Sequence, residues 1–212
     1  MDAIPIEKDV EGLSKCYRDL LLDDVRDLEA HNPEPPVGVR SQRKCILPCT
    51  PLAVVKVLEY LMVSEATHPA TLAQSGGPPP HPDRDRGARC MEHYMQGRTV
   101  VIFNRSEIVG RPLACMLNND GARVYSVDLE GTFLLTKRHQ FEKVLLTTEE
   151  VLQRANIVIT GVPNDEWRLP TEWVQPGSTV INISEFQNVD EDAIVRIPGV
   201  RFVAQLLVQH AC

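Results

Sequence analysis

The sequence predicts an α/β fold built on a doubly wound parallel sheet, and three observations predict it. The apolar runs at 100–103, 157–160 and 180–183 are continuous rather than alternating, the pattern of strands buried on both faces. Helix-like segments, LACMLNND at 113–120 and EEVLQRA at 149–155, fall between strand-like ones, so strand and helix alternate. The chain has 212 residues, 43% hydrophobic and 24% charged, enough to bury a sizeable core, and this composition excludes a disordered, collagenous or disulfide-miniprotein chain.

Taken in order, residues 13–30 place Leu13, Tyr17, Leu20, Leu21, Val25 and Leu28 near a 3–4 spacing before the prolines Pro33, Pro35 and Pro36, which predicts a helix. Thr50 and Pro51 read as N-cap and first position of a second helix running through LAVVKVLEYLMV. From 63 to 96 the periodicity dissolves into GGPPPHP and DRDRGAR, the composition of an exposed linker. The run at 100–103 is the first strand, the short helix at 113–120 stops at Gly121 as its C-cap, and RVYSV at 123–127 opens the second strand. The turn Gln175-Pro176-Gly177-Ser178 precedes the last run.

With 29 acidic against 22 basic residues the net charge is −7, so the basic face that a phosphate backbone requires is not expected and nucleic acid is excluded as a partner. No run approaches the ~20 apolar residues of a membrane helix, and the first residues do not have the order of a signal peptide, so a cytoplasmic protein without a membrane partner is expected. The six cysteines are irregularly spaced, without C-x-x-C, which suggests neither a disulfide framework nor a metal site.

In a doubly wound sheet a ligand sits at the carboxyl ends of the strands, where the first strand-to-helix turn offers N–H groups to a phosphate. That turn is Asn104, Arg105, Ser106, Glu107, Ile108, Val109 and Gly110, which is not G-x-G-x-x-G. It reads either as a dinucleotide loop or as a polar loop in which Gly110 permits a tight bend. Asp128, 22 residues after Ser106, stands where an acid would accept hydrogen bonds from an adenosine ribose, or where a solvated acid begins a loop. Gly161, Val162 and Pro163 make a second close-approach turn after the third run.

Four stretches, KDVEG at 8–12, LPCTPLAVVKVLEYL at 47–61, NRSEIVGRPLA at 104–114 and ITGVP at 159–163, resemble the methylenetetrahydrofolate dehydrogenase family in the right order. The likeness is greatest to its monofunctional, NAD-dependent fungal members, because Asn104 and Glu11 depart from the G-R-S and K-D-V-D-G of bifunctional ones. The resemblance implies a Rossmann-like domain that takes NAD, a folate cleft beside it, and oxidation of 5,10-methylenetetrahydrofolate to 5,10-methenyltetrahydrofolate in one-carbon metabolism. It implies cofactor contacts from Asn104, Arg105, Ser106, Ile108, Val109, Gly110, Asp128, Gly161, Val162 and Pro163, and a substrate site at Asp9 and Glu11, with Glu11 anchoring the pterin. Glu11 reads equally as a surface carboxylate in a turn. Cys49, in the P-C-T-P turn, reads as a thiol beside the one-carbon unit, catalytic together with Glu11, or as a small buried apolar residue. A homodimer is the implied assembly.

None of Tyr17, Tyr60, Tyr94 and Tyr125 has a lysine four positions on, so the Tyr-x-x-x-Lys motif of cyclohydrolases is not found and that activity is not expected. The expected organisation is a partial folate lobe at 1–62, truncated at its N-terminus, a linker at 63–96, the nucleotide domain at 97–200 and a tail at 201–212. A non-catalytic nucleotide-binding or regulatory fragment that pairs with a full-length homologue is the alternative.

Overall fold

The computed structural model describes residues 6–25, 44–66, 94–136 and 140–203. Its strands are β1 (Thr99–Phe103), β2 (Arg123–Asp128), β3 (Gly131–Leu135), β4 (Phe141–Val144), β5 (Ile157–Thr160), β6 (Thr179–Asn182) and β7 (Arg201–Val203). They form one sheet in the order β4-β3-β2-β1-β5-β6-β7. The stretch from β2 through β1, β5 and β6 to β7 is parallel throughout, with Val101 opposite Tyr125 on one side and Val158 on the other. Successive residues of β1 feed opposite faces. Val100 and Ile102 pack with Val124, Ile157, Ile159 and Ile181, whereas Val101 and Phe103 pack with Tyr125, Val127, Val158 and Val180.

The α/β expectation holds, with an addition. β3 runs antiparallel to β2 and β4 antiparallel to β3, so a hairpin extends the parallel sheet at one side. β4 reads Phe-Glu-Lys-Val and leaves Glu142 and Lys143 exposed, the charged character of a protected sheet edge. At the other side β7 adds three residues beyond 200, inside the stretch expected as a tail.

The helices are α1 (Lys15–Leu22), α2 (Cys49–Ala66), α3 (Gly110–Asn119), α4 (Thr148–Leu152) and α5 (Glu191–Ile194). α1 starts at Ser14, whose hydroxyl accepts from Tyr17 N at 3.4 Å, and buries Tyr17, Leu20 and Leu21 as its periodicity predicts. It ends at Leu22, short of the expected 30: Val25 N donates to Leu20 O at 2.8 Å and Asp24 N to Leu21 O at 3.3 Å, while Asp24 holds a φ of 54°. That is a Schellman closure with aspartate where glycine is usual, so the ordinary stop signal is missing from the sequence. The rest of that expected helix lies outside the described residues.

α2 begins two residues before the expected Pro51, with Leu52 N donating to Pro48 O at 3.0 Å. The first four helical N–H groups have no partner within a helix, so proline in the first turn sacrifices nothing. α1, α2 and α3 cover one face of the sheet, where Leu21, Val54, Val55 and Leu58 share a cluster with Leu113, Leu117 and the strand residues. Met95 is fully buried in the same cluster, so the expected linker ends in the core, and residues 63–66 continue α2. Residues 67–93, the rest of that linker, lie outside the described residues. α4 and α5 cover the opposite face through Val151, Leu152 and Ile194. No helix among the described residues is long and apolar enough to cross a membrane.

Candidate functional site

β1 sits between β2, which follows it through α3, and β5, which lies on its other side. The chain therefore leaves the carboxyl ends of β1 and β5 in diverging directions and opens a crevice there. Asn104, the first residue beyond β1, ties the crevice's two walls: its Nδ2 donates to Gly161 O at 2.8 Å and its Oδ1 accepts from Ser106 N at 2.7 Å. The Ser106 hydroxyl accepts from Val109 N at 3.2 Å and Gly110 N at 3.3 Å, and so caps the first turn of α3. Gly110 is required by contact rather than by φ, since a Cβ there would lie 2.2 Å from Asn104 O. At Gly161 a Cβ would approach Asn104 Nδ2 and Ile183 to 3.0 Å. Ile108 is exposed at the tip of the loop.

Asp128 ends β2 at this edge, and its carboxylate already has partners. Oδ2 lies 2.6 Å from Arg105 Nε, and Oδ1 accepts from Glu130 N at 2.8 Å. The Glu130 carboxylate takes a second bond from Arg105, at Nη2, and the guanidinium lies 3.9 Å from the centroid of Phe133. Burial works against the charge on Arg105, but its bonds to Glu130 and Asp128 outweigh this and hold it more firmly protonated than a free arginine.

The wall after β5 is held by residues that the sequence reading did not single out. Asn188, fully buried, accepts from Val162 N at 2.9 Å and donates to Asn164 O at 3.4 Å. Ser184 Oγ donates to Val162 O at 2.9 Å. Asn182 accepts from Thr160 Oγ1 and from Ser184 N, each at 3.1 Å, so Gly161, Val162 and the exposed Pro163 rest on a polar scaffold from the end of β6. Its only signal was three amide or hydroxyl residues crowded behind an apolar run.

The N-terminal motif reaches the same edge. Asp9, 9% exposed, accepts from four amides, Glu11 (3.2 Å), Gly12 (2.9 Å) and Leu13 (3.3 Å) at Oδ1 and Ser14 (2.7 Å) at Oδ2. Its carboxylate thus shapes the turn on which Glu11 stands exposed. Gly12, at φ 69°, backs onto Ile46 and Leu47, a Cβ there being 2.6 Å from Ile46 O, which sets the turn beside the approach to Cys49. Cys49 is exposed in the first turn of α2, which sets aside its reading as a buried apolar residue; Cys115 fills that role, its thiol pushed up to about 11 by burial. α1 runs alongside α3 in the same direction, since Arg18 faces Glu107 at 3.7 Å while Asn119 Nδ2 donates to Leu21 O at 3.3 Å. The turn before α1 therefore lies at the end of α3 that carries the 104–110 loop.

Burial pushes the Asp9 carboxyl up, but its bonds from Ser14, Leu13 and Glu11 outweigh this and hold it below its ordinary value. Its contribution to stability is present above the unfolded value, near ~3.9, and is lost as pH falls through the folded one. Asp9→Asn is expected to destabilise the chain by about 2 kcal/mol at neutral pH, and the gap between variant and parent in urea unfolding should close on acidification.

A parallel sheet that reverses its strand order beside the N-terminus of a helix is the dinucleotide-binding class of α/β fold. The chain belongs to the tetrahydrofolate dehydrogenase/cyclohydrolase NAD(P)-binding domain family, whose profile matches residues 88–196. Among similar proteins is the methylenetetrahydrofolate dehydrogenase [NAD(+)] of Dictyostelium discoideum, 36% identical over 195 residues, 90% of this chain and 53% of that protein. The enzyme of the same name from Saccharomyces cerevisiae is 36% identical over 197 residues, 88% of this chain and 52% of that protein. The solved structure of the NAD-dependent 5,10-methylenetetrahydrofolate dehydrogenase from Saccharomyces cerevisiae superposes with a TM-score of 0.68 at 31% identity, covering 92% of this chain and 56% of that one. The chain spans about half the length of the curated relatives it matches.

Proposed function

We propose that the chain binds NAD in the crevice between β1 and β5 and oxidises 5,10-methylenetetrahydrofolate to 5,10-methenyltetrahydrofolate. The observation that carries this reading is that the Asp9 turn and the 104–110 loop lie at the same end of the α1–α3 pair, so a folate-side motif and a nucleotide-side one share that end. The residues at this edge fit the cofactor. Gly110 lets the 104–110 loop close onto the first turn of α3, the helix N-terminus favours a pyrophosphate, and the Ser106 hydroxyl, having accepted two amides, still has its own proton to donate. Asn104 fixes the spacing of the two walls, and Arg105, Ile108, Val109, Asp128, Gly161, Val162 and Pro163 complete the lining in this reading.

NAD, when bound, supplies the hydride acceptor. The hydride leaves a carbon held between two folate nitrogens whose lone pairs stabilise the cation that remains, so no proton has to move in that step. The task of the protein is placement, worth up to ~7–11 kcal/mol of barrier. Glu11 accepts from the amino-pyrimidine edge of the pterin, Asp9 holds the turn that presents it, and the Cys49 thiol stands beside the one-carbon unit. Residues 1–62 supply the folate side and 97–200 the nucleotide side, acting as a homodimer in the cytoplasm. The free thiols of Cys16, Cys49 and Cys115 suit a reducing compartment. Absorbance of NADH with methylenetetrahydrofolate as substrate tests the reading: turnover is expected, and NAD binding without NADH formation would instead assign a non-catalytic, regulatory role.

A further inference from the structure

Arginine and aspartate at the end of a nucleotide crevice ask for opposite ligands. A free guanidinium grips a 2′-phosphate with its planar fork, whereas a carboxylate accepts from an unphosphorylated ribose. This chain has both, Arg105 and Asp128, and the geometry decides between them. We propose that Glu130 is a specificity-determining residue for the dinucleotide, acting with Asp128 to hold Arg105 between two carboxylates and so withhold it from a 2′-phosphate. The proposal rests on the nucleotide reading above and adds to it the residue that sets the choice of cofactor.

Asp128 binds Nε and Glu130 binds Nη2, two neighbouring donors of the guanidinium, while Phe133 covers a face of it at 3.9 Å. Two carboxylates on one guanidinium give this trio a net negative charge and leave the arginine none of its own to offer a phosphate. Glu130 is held in this position by the backbone. Asp128 and Gly131 are paired residues of β2 and β3, so Leu129 and Glu130 form a two-residue turn, closed by Glu130 N on Asp128 Oδ1 and allowed by a φ of 125° at Gly131. The Glu130 side chain is 71% exposed, so replacing it disturbs no core and isolates its effect on Arg105. Lys143, whose Nζ is 6.0 Å from the Phe133 centroid, is another cation beside this ring and is left unaltered in the test.

The experiment is calorimetric titration of the chain with NAD and with NADP at low salt, for the parent, Glu130→Gln, and Glu130→Gln combined with Asp128→Asn. The parent is expected to prefer NAD. Glu130→Gln should raise the NADP-to-NAD affinity ratio about tenfold and the double variant about a hundredfold, with the gain shrinking as salt rises. NAD binding with a ratio that moves by less than about twofold in Glu130→Gln overturns the proposal alone. Binding of neither dinucleotide by the parent overturns the nucleotide reading and the proposal with it.

Discussion

Gly110→Ala is expected to abolish measurable NAD binding and to destabilise the chain by about 3 kcal/mol, the upper range for forcing a methyl into a filled space. The added carbon would lie 2.2 Å from Asn104 O and 2.6 Å from Asn104 C, and both are backbone atoms that no rotamer change moves aside. Relief requires the loop to swing away from α3. That breaks the cap from Ser106 to Val109 N and Gly110 N, and it pulls on the bond from Asn104 Nδ2 to Gly161 O that sets the width of the crevice. Loss of pyrophosphate binding and loss of stability then have one cause. Urea unfolding and calorimetric titration of the same sample check this, and parent-like affinity would show that the loop tolerates the displacement. Gly161→Ala, with its nearest contacts at 3.0 Å to side-chain atoms, is the milder control.

The parallel half of the sheet was legible because strands covered on both faces are apolar along most of their length, and β1, β5 and β6 are buried apart from Thr99, with the polar Thr160, Thr179 and Asn182 only at strand ends. The β3–β4 hairpin was not, because its parts carry weak signals. The β2–β3 turn is Leu129-Glu130 rather than Asn-Gly or Asp-Gly, and β4 is a short charged edge strand with no apolar face to betray it. The end of α1 was misread for a related reason, since Asp24 takes the left-handed position that glycine usually announces.

In the site, glycines were legible and partners were not. Gly110 reads from the sequence as permitting a tight bend and Gly161 as part of a close-approach turn, and the chain's own atoms crowd both, because a missing Cβ is a property of the residue itself. The state of Asp128 depends on Arg105, 23 positions away, and on Glu130, whose approach to that arginine exists only once β2 and β3 pair. Asp9 was read as a substrate ligand, and the structure instead occupies its carboxylate with four amides of the following turn. Spacing alone cannot separate an acid that binds a ligand from one that binds its own backbone, because both occur in short polar turns.

Asn188→Ala carries the other large effect. Its amide is fully buried and bonded at both ends, accepting from Val162 N at 2.9 Å and donating to Asn164 O at 3.4 Å, so truncation strands a donor and an acceptor and leaves a hole. A buried group left without a partner costs about 1–3 kcal/mol. The Val162 amide, with the shorter of the two bonds, stands near the top of that range, so a total of about 3 kcal/mol is expected. Ser184→Ala should cost about 1 kcal/mol, because it removes one donor to Val162 O and one acceptor for Phe186 N at a site with less volume to lose. The functional consequence follows from position. Gly161, Val162 and Pro163 form the wall opposite Ser106, and without Asn188 the side-chain bonds left to that wall are those of Ser184 and Asn104, beside the backbone bond from Gly161 N to Phe103 O at 3.1 Å. Dinucleotide affinity in Asn188→Ala should therefore fall by about tenfold even at temperatures where the variant is fully folded. Hydrogen exchange at Val162 N measures the loosening directly, and parent-like protection there would show that the loop is held by its own strand and not by the polar scaffold behind it.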